Sequence, residues 1–169
     1  MKKTNPRKIP ATPEKTAEES DRAYYLAIAN VLDTVAETGR YTIDEIDEAW
    51  EKINTVCNLI SDKKASLPKM LDDLKAIGID IQGFGTMSLK PRTMAEVKRN
   101  ARIAYGLACA IMLWTFGEDK RFSTDELREL WKRVQYKRDS VQRKYTTLRD
   151  IVQALYDDYG IRVGAGRKF

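Results

Sequence analysis

The chain has 169 residues, 43% of them hydrophobic and 33% charged, with a net charge of +5. That composition belongs to a chain that buries a core, and the length suits one compact domain or two small ones. Histidine is absent and there are two cysteines, which excludes histidine general bases, Ser-His-Asp and Cys-His nucleophiles, histidine-ligated metal and a zinc site made of cysteine alone.

The first elements are a basic arm and a helix. Residues 1–15 hold Lys2, Lys3, Arg7 and Lys8 among Pro6, Pro10 and Pro13, and read as a flexible arm. No apolar segment follows, so no secretory signal is expected. Thr12-Pro13-Glu14 has the form of a helix cap, and the first helix is expected from roughly Ala17 to Thr38, with Gly39 as its stop. Thr42-Ile43-Asp44-Glu45 is a capping-box pattern that opens a second helix to about Lys63. Its apolar face is Ile46, Ala49, Trp50, Ile53, Cys57 and Ile60. A third helix spans about Leu67–Ile77 and stops at Gly78. Residues 82–92, with Gly83, Gly85 and Pro91, form a linker.

The second half repeats the first. Residues 25–74 align with residues 106–155 at a constant offset of 81, with identities that include Ala29/Ala110, Arg40/Arg121, Glu45/Glu126, Trp50/Trp131, Lys63/Lys144 and Leu74/Leu155. After one extra residue, Gly78-Ile79-Asp80-Ile81 matches Gly160-Ile161-Arg162-Val163. The expected helices are Thr93-capped to about Phe116 with Gly117 next, Ser123-capped to about Lys144, and about Thr147–Asp158. The apolar run Ile103–Phe116 is shorter than the roughly 20 residues that span a membrane, and reads as a buried helix. Ile79–Ile81 and Ile161–Val163 read either as short strands paired across a pseudo-twofold or as helix-stop residues packing back on the core. Residues 164–169 form a loose basic tail.

The expected fold is therefore all-α. Two tandem three-helix repeats, residues 16–81 and 93–163, pack as one pseudo-symmetric body through the helices around Tyr24–Val35 and Ile103–Phe116. Cys57 and Cys109 lie in apolar helical patterns and read as buried thiols in a reducing cytoplasm. Asp72-Asp73 and Asp157-Asp158 read as surface charge.

Charge separates the halves. Residues 1–84 carry 12 basic and 15 acidic residues, a net of −3; residues 85–169 carry 18 and 10, a net of +8. The middle helix of the first copy presents Asp44, Asp47, Glu48, Glu51 and Asp62. Its counterpart presents Arg128, Lys132 and Arg143 on one stripe and Arg133, Lys137 and Lys144 on another, with Tyr136 between them. A basic stripe around an aromatic suits a phosphate backbone and a stacking base. An acidic protein surface fits it too, including the first copy of a second subunit, and so does plain solvation. Arg138 stands at the position of Cys57, in the middle of the apolar face. It must snorkel, pair with a carboxylate or face a partner. Trp114 stands opposite Asp33 in the repeat and is expected to pack the core.

The second half also carries Leu113-Trp114, Lys120-Arg121, Leu130-Trp131, Asp139, Ser140, Tyr145, Asp150-Ile151 and Tyr159-Gly160-Ile161. In this it resembles small helical proteins encoded by phages and prophages of Gram-positive bacteria. The resemblance implies a mobile-element setting and brings no activity or catalytic residue with it. The expected function is non-enzymatic binding of nucleic acid or a nucleic-acid-protein complex in the host cytoplasm, without a cofactor. In that setting the work is accessory to the phage genome or obstructs a host defence nuclease. The alternative is a protein-protein or self-assembling role for complementary acidic and basic faces.

Overall fold

The computed structural model describes residues 9–81 and 87–163, and those residues form six α-helices. They are α1 (Pro13–Ala36), α2 (Ile43–Ser61), α3 (Leu67–Ala76), α4 (Met94–Glu118), α5 (Thr124–Gln142) and α6 (Leu148–Tyr159). The N-caps are Thr12, Thr42, Ser66, Thr93, Ser123 and Thr147, each side-chain oxygen accepting a backbone N–H of the first turn. Caps of the second half follow those of the first by 81 residues each. The capping boxes of Thr42–Glu45, Thr93–Glu96 and Ser123–Glu126 form as expected. A fourth joins Thr147 to Asp150.

The repeat also shows in the turns. Gly39 and Lys120, Lys63 and Lys144, and Gly78 and Gly160 all have positive φ at matching places. This correspondence is compatible with a tandem repeat. One boundary differs from expectation: α4 continues through Gly117, and the left-handed residue is Lys120, the counterpart of Gly39.

Of the two readings of residues 79–81 and 161–163, the helix-stop one holds, and no strand pair forms among the described residues. Ile79 and Ile161 are buried instead, and their N–H groups donate back to the Leu74 and Leu155 carbonyls at 2.9 and 3.1 Å. A left-handed glycine before each isoleucine turns the chain back, so apolar packing and helix-end bonding use up the backbone that a strand pair needs. The isolated bridge lies elsewhere, between Pro10 and Thr93. There Ala11 donates to the Arg92 carbonyl and Met94 donates to the Ile9 carbonyl, each at 3.0 Å. This ties residues 9–11 of the expected arm to the start of α4. Residues 1–8, residues 82–86 of the linker and the tail 164–169 lie outside the described residues.

The halves are cross-packed. The most extensive interhelix contact is between the long helices α1 and α4. α1 also lies on α5 and α6 of the second half, and α4 on α2 and α3 of the first. Ala27 and Ala29 of α1 and Ala110 of α4 are fully buried, small side chains of the kind that lets packed helices approach closely. Val31, Val35, Cys109, Leu113, Phe116, Val134 and Leu155 fill the centre with no exposed surface. Each such side chain contributes about 1.5–3 kcal/mol by leaving water.

Where the halves meet, the contacts are reciprocal. Arg40 pairs with Glu126, and Arg121 pairs with Glu45 at 2.8 Å. Arg40 donates to the Arg121 carbonyl, and Arg121 donates to the Arg40 carbonyl at 3.1 Å. Tyr41 stacks on Phe122, with Arg121 over the Tyr41 ring and Arg40 over the Phe122 ring. Exchange of the halves carries each contact onto its counterpart, which explains the identities Arg40/Arg121 and Glu45/Glu126.

Candidate functional site

The basic face of α5 is divided by the helices around it. Lys137 pairs with Asp33 and with Glu37 of α1, the latter at 2.7 Å, and its side chain is only 18% exposed. Arg133 pairs with Glu37 as well. These two cations hold α5 to α1, a use that a helical projection of α5 alone does not reveal. Arg128 pairs with Asp125 and reaches the Ile77 carbonyl at the C-terminal end of α3, where a cation also meets the helix dipole. Lys132 pairs with Glu129 on its own helix at 2.5 Å. Of the eight residues singled out in the sequence, Tyr136, Arg138, Arg143 and Lys144 have no ion pair among the described residues. Tyr136 is 74% exposed.

Arg138 faces inward across a cleft. Its guanidinium carbon lies 5.3 Å from the centre of the Tyr105 ring, a cation–π contact that replaces the missing carboxylate. Tyr105 is buried, and its hydroxyl accepts a 3.0 Å hydrogen bond from Asn30 in the core. Burial pushes the Tyr105 phenol well above its ordinary range, so it stays neutral.

The cleft has a volume of about 660 Å³ and lies between α1, α4 and α5. Five cations line it: Arg22 from α1, Lys98 and Arg102 from α4, and Arg138 and Lys144 from the α5 side. Glu19 is the one acidic residue of the lining. Ala23, Leu26, Ala101 and Val141 supply apolar walls. None of the five cations enters an ion pair among the described residues.

The repeat provides an internal comparison. At an offset of 81, the counterparts of Arg22, Lys98, Arg102 and Arg138 are Ile103, Ala17, Asp21 and Cys57. Only Lys144 keeps its charge, as Lys63. Glu19 corresponds to Asn100, whose amide is bound to both backbone groups of Ser88, at 2.7 and 3.0 Å. The cationic cleft is thus a property of one side of the molecule. Arg22, Lys98 and Arg102 lie on the two long helices, and no spacing within either helix gathers them with Arg138. The swap of Asp21 for Arg102 was the available signal.

Other residues take structural places. Trp114 packs against the core and donates to Asp73 at 3.1 Å. Cys109 is buried, its thiol pushed up to about 12 by burial; Cys57 is partly buried and raised for the same reason. Asp72, Asp73, Asp157 and Asp158 are exposed. No group of three or more metal-ligating side chains occurs among the described residues, and no described helix is long and apolar enough to cross a membrane. The chain matches no family model, no curated protein and no solved structure.

Proposed function

We propose that this protein is a non-enzymatic binding protein that engages nucleic acid, alone or within a nucleoprotein complex, through the cationic cleft where α4 and α5 of the second half meet α1 of the first. The observation that carries this reading is the convergence of Arg22, Lys98, Arg102, Arg138 and Lys144 on one cleft with a single carboxylate. Four of them are exposed and Arg138 is half-buried, and none has an ion pair among the described residues, while the neighbouring Arg133 and Lys137 of α5 are consumed by Asp33 and Glu37. Tyr136, and Tyr145 at 78% exposure, offer exposed aromatic rings in and just after α5. In a mobile-element setting, such binding would serve the element's own genome or obstruct a host nuclease.

The test is a binding titration against single- and double-stranded DNA and RNA at two salt concentrations. Binding through phosphates is expected to weaken as salt rises, with a log–log slope of roughly −0.7 for each phosphate of a single strand that the protein neutralises. Replacing both Lys98 and Arg102 by glutamate is expected to abolish binding. Lys132→Glu, outside the cleft, is expected to change it little. Absence of binding at low salt rejects the reading.

A second reading rests on α2. Asp44, Asp47, Glu48 and Glu51 are exposed and enter no ion pair among the described residues. An acidic face on one half and a cationic cleft on the other suit head-to-tail association of copies. Light scattering distinguishes the two: the Lys98/Arg102 double variant then lowers the oligomeric state, with no nucleic-acid affinity to lose.

A further inference from the structure

We propose that the cleft between α1, α4 and α5 is a site for one nucleotide unit, a flat base bearing a phosphate, and that it takes single strands in preference to duplex. For a strand this rests on the nucleic-acid reading above; for a free nucleotide it stands alone.

Size is the first argument. A volume of about 660 Å³ is that of a small-ligand pocket. A duplex buries its base faces in its own stack and presents only edges and phosphates to a protein. It meets the rim of such a cleft and leaves the interior empty. An unstacked nucleotide can enter it.

The lining is the second argument. A phosphate alone needs the cations and gains nothing from apolar walls. Here Ala23, Leu26, Ala101 and Val141 stand beneath the charged groups, and the alanines of α1 and α4 leave room between the helices. Arg138 joins the two parts. Its guanidinium carbon lies 5.3 Å from the centre of the Tyr105 ring and both residues line the cleft, so a base entering there meets a planar cation that can stack on it. The Asn30–Tyr105 hydrogen bond, buried beneath, fixes the ring that Arg138 rests on.

The third argument is what the cations do to the fold. Lys98 and Arg102 are like charges one helical turn apart, an arrangement that weakens a helix. The matching positions of the first half are Ala17 and Asp21, so the repeat does not need cations there to pack. Retaining them against that cost points to a ligand, as locally unfavourable choices do at functional sites.

The experiment titrates the full chain at low salt with adenosine monophosphate, inorganic phosphate, a short 5′-phosphorylated single strand and the blunt duplex of the same sequence. It is repeated with Arg138→Lys, which keeps the charge and loses the plane, and with Lys98→Ala/Arg102→Ala; circular dichroism checks that each variant folds. The expected result is single-strand binding at least about tenfold tighter than duplex, with a loss of about tenfold in Arg138→Lys. Competition by the mononucleotide identifies the free nucleotide as a ligand, and strand binding without it identifies the polymer. Nucleotide binding with no strand binding rejects the nucleic-acid function and keeps the pocket. Equal affinity for strand and duplex, unchanged in Arg138→Lys, overturns the pocket and keeps the nucleic-acid function. Phosphate binding as tight as the nucleotide removes any recognition of the base. No binding by any of the four rejects both.

Discussion

Arg138 and Lys120 show how single positions answer to tertiary surroundings. Arg138 stands on an apolar helical face, and the sequence limits it to snorkelling, pairing or facing a partner. The structure places it over Tyr105 at the edge of a cleft. No local rule anticipates that outcome, because Tyr105 lies on another helix. Lys120 has φ of 56°, a left-handed conformation that costs a residue with a Cβ about 1 kcal/mol. Its counterpart Gly39 adopts the same conformation freely. Lys120→Gly is therefore expected to stabilise the protein by about 0.5–1 kcal/mol, offset in part by the freer unfolded chain. Urea unfolding measures this; a lower midpoint at unchanged slope contradicts it.

At the scale of elements, the turn between α1 and α2 and the turn between α4 and α5 form one clamp. Glu45 closes the capping box of α2 and also receives Arg121 from the other turn. The Arg121 hydrogen bond, and next the Thr42 backbone N–H, lower its carboxyl from 4.5 to about 2. A carboxyl depressed on folding stabilises the native state fully above 4.5, and that contribution fades as pH falls through about 2. Chemical unfolding followed between those limits is expected to show declining stability, with a shallower decline in Glu45→Gln. An identical decline in that variant places the acid sensitivity elsewhere. The capping boxes were legible in sequence because their spacing is local. The basic face of α5 was legible as charge, but its division into structural and free cations was not. Arg133 and Lys137 are claimed by carboxylates about a hundred residues earlier in the chain.

At the scale of the whole molecule, the long helix of each half rests on the short helices of the other. A half-chain therefore lacks the surface that its own helices need. Residues 87–163 expressed alone are expected to be unfolded as a monomer or to dimerise, with one copy's α4 replacing α1. The two halves co-expressed are expected to assemble into a stable one-to-one complex. A monomeric, cooperatively folding half, measured by light scattering and thermal melting, contradicts this. The same cross-packing builds the cleft, since α1 of one half meets α4 and α5 of the other there.

Periodicity, caps and the internal offset determined six helices, their approximate ends and the pairing of the halves, because these follow from spacing within a helix or from one copy's likeness to the other. Tertiary structure alone decided three things. The two short apolar segments turn back on the core instead of forming strands, because the backbone bonds they need are taken by the helices before them. Arg133 and Lys137, two of the seven singled-out cations, were assigned to ion pairs with Asp33 and Glu37 of the first half. Arg22, Lys98 and Arg102 were gathered with Arg138 and Lys144 around one cleft. Each of these depends on which helices become neighbours, and that is set by the burial of α1 against α4 rather than by any pattern within one segment.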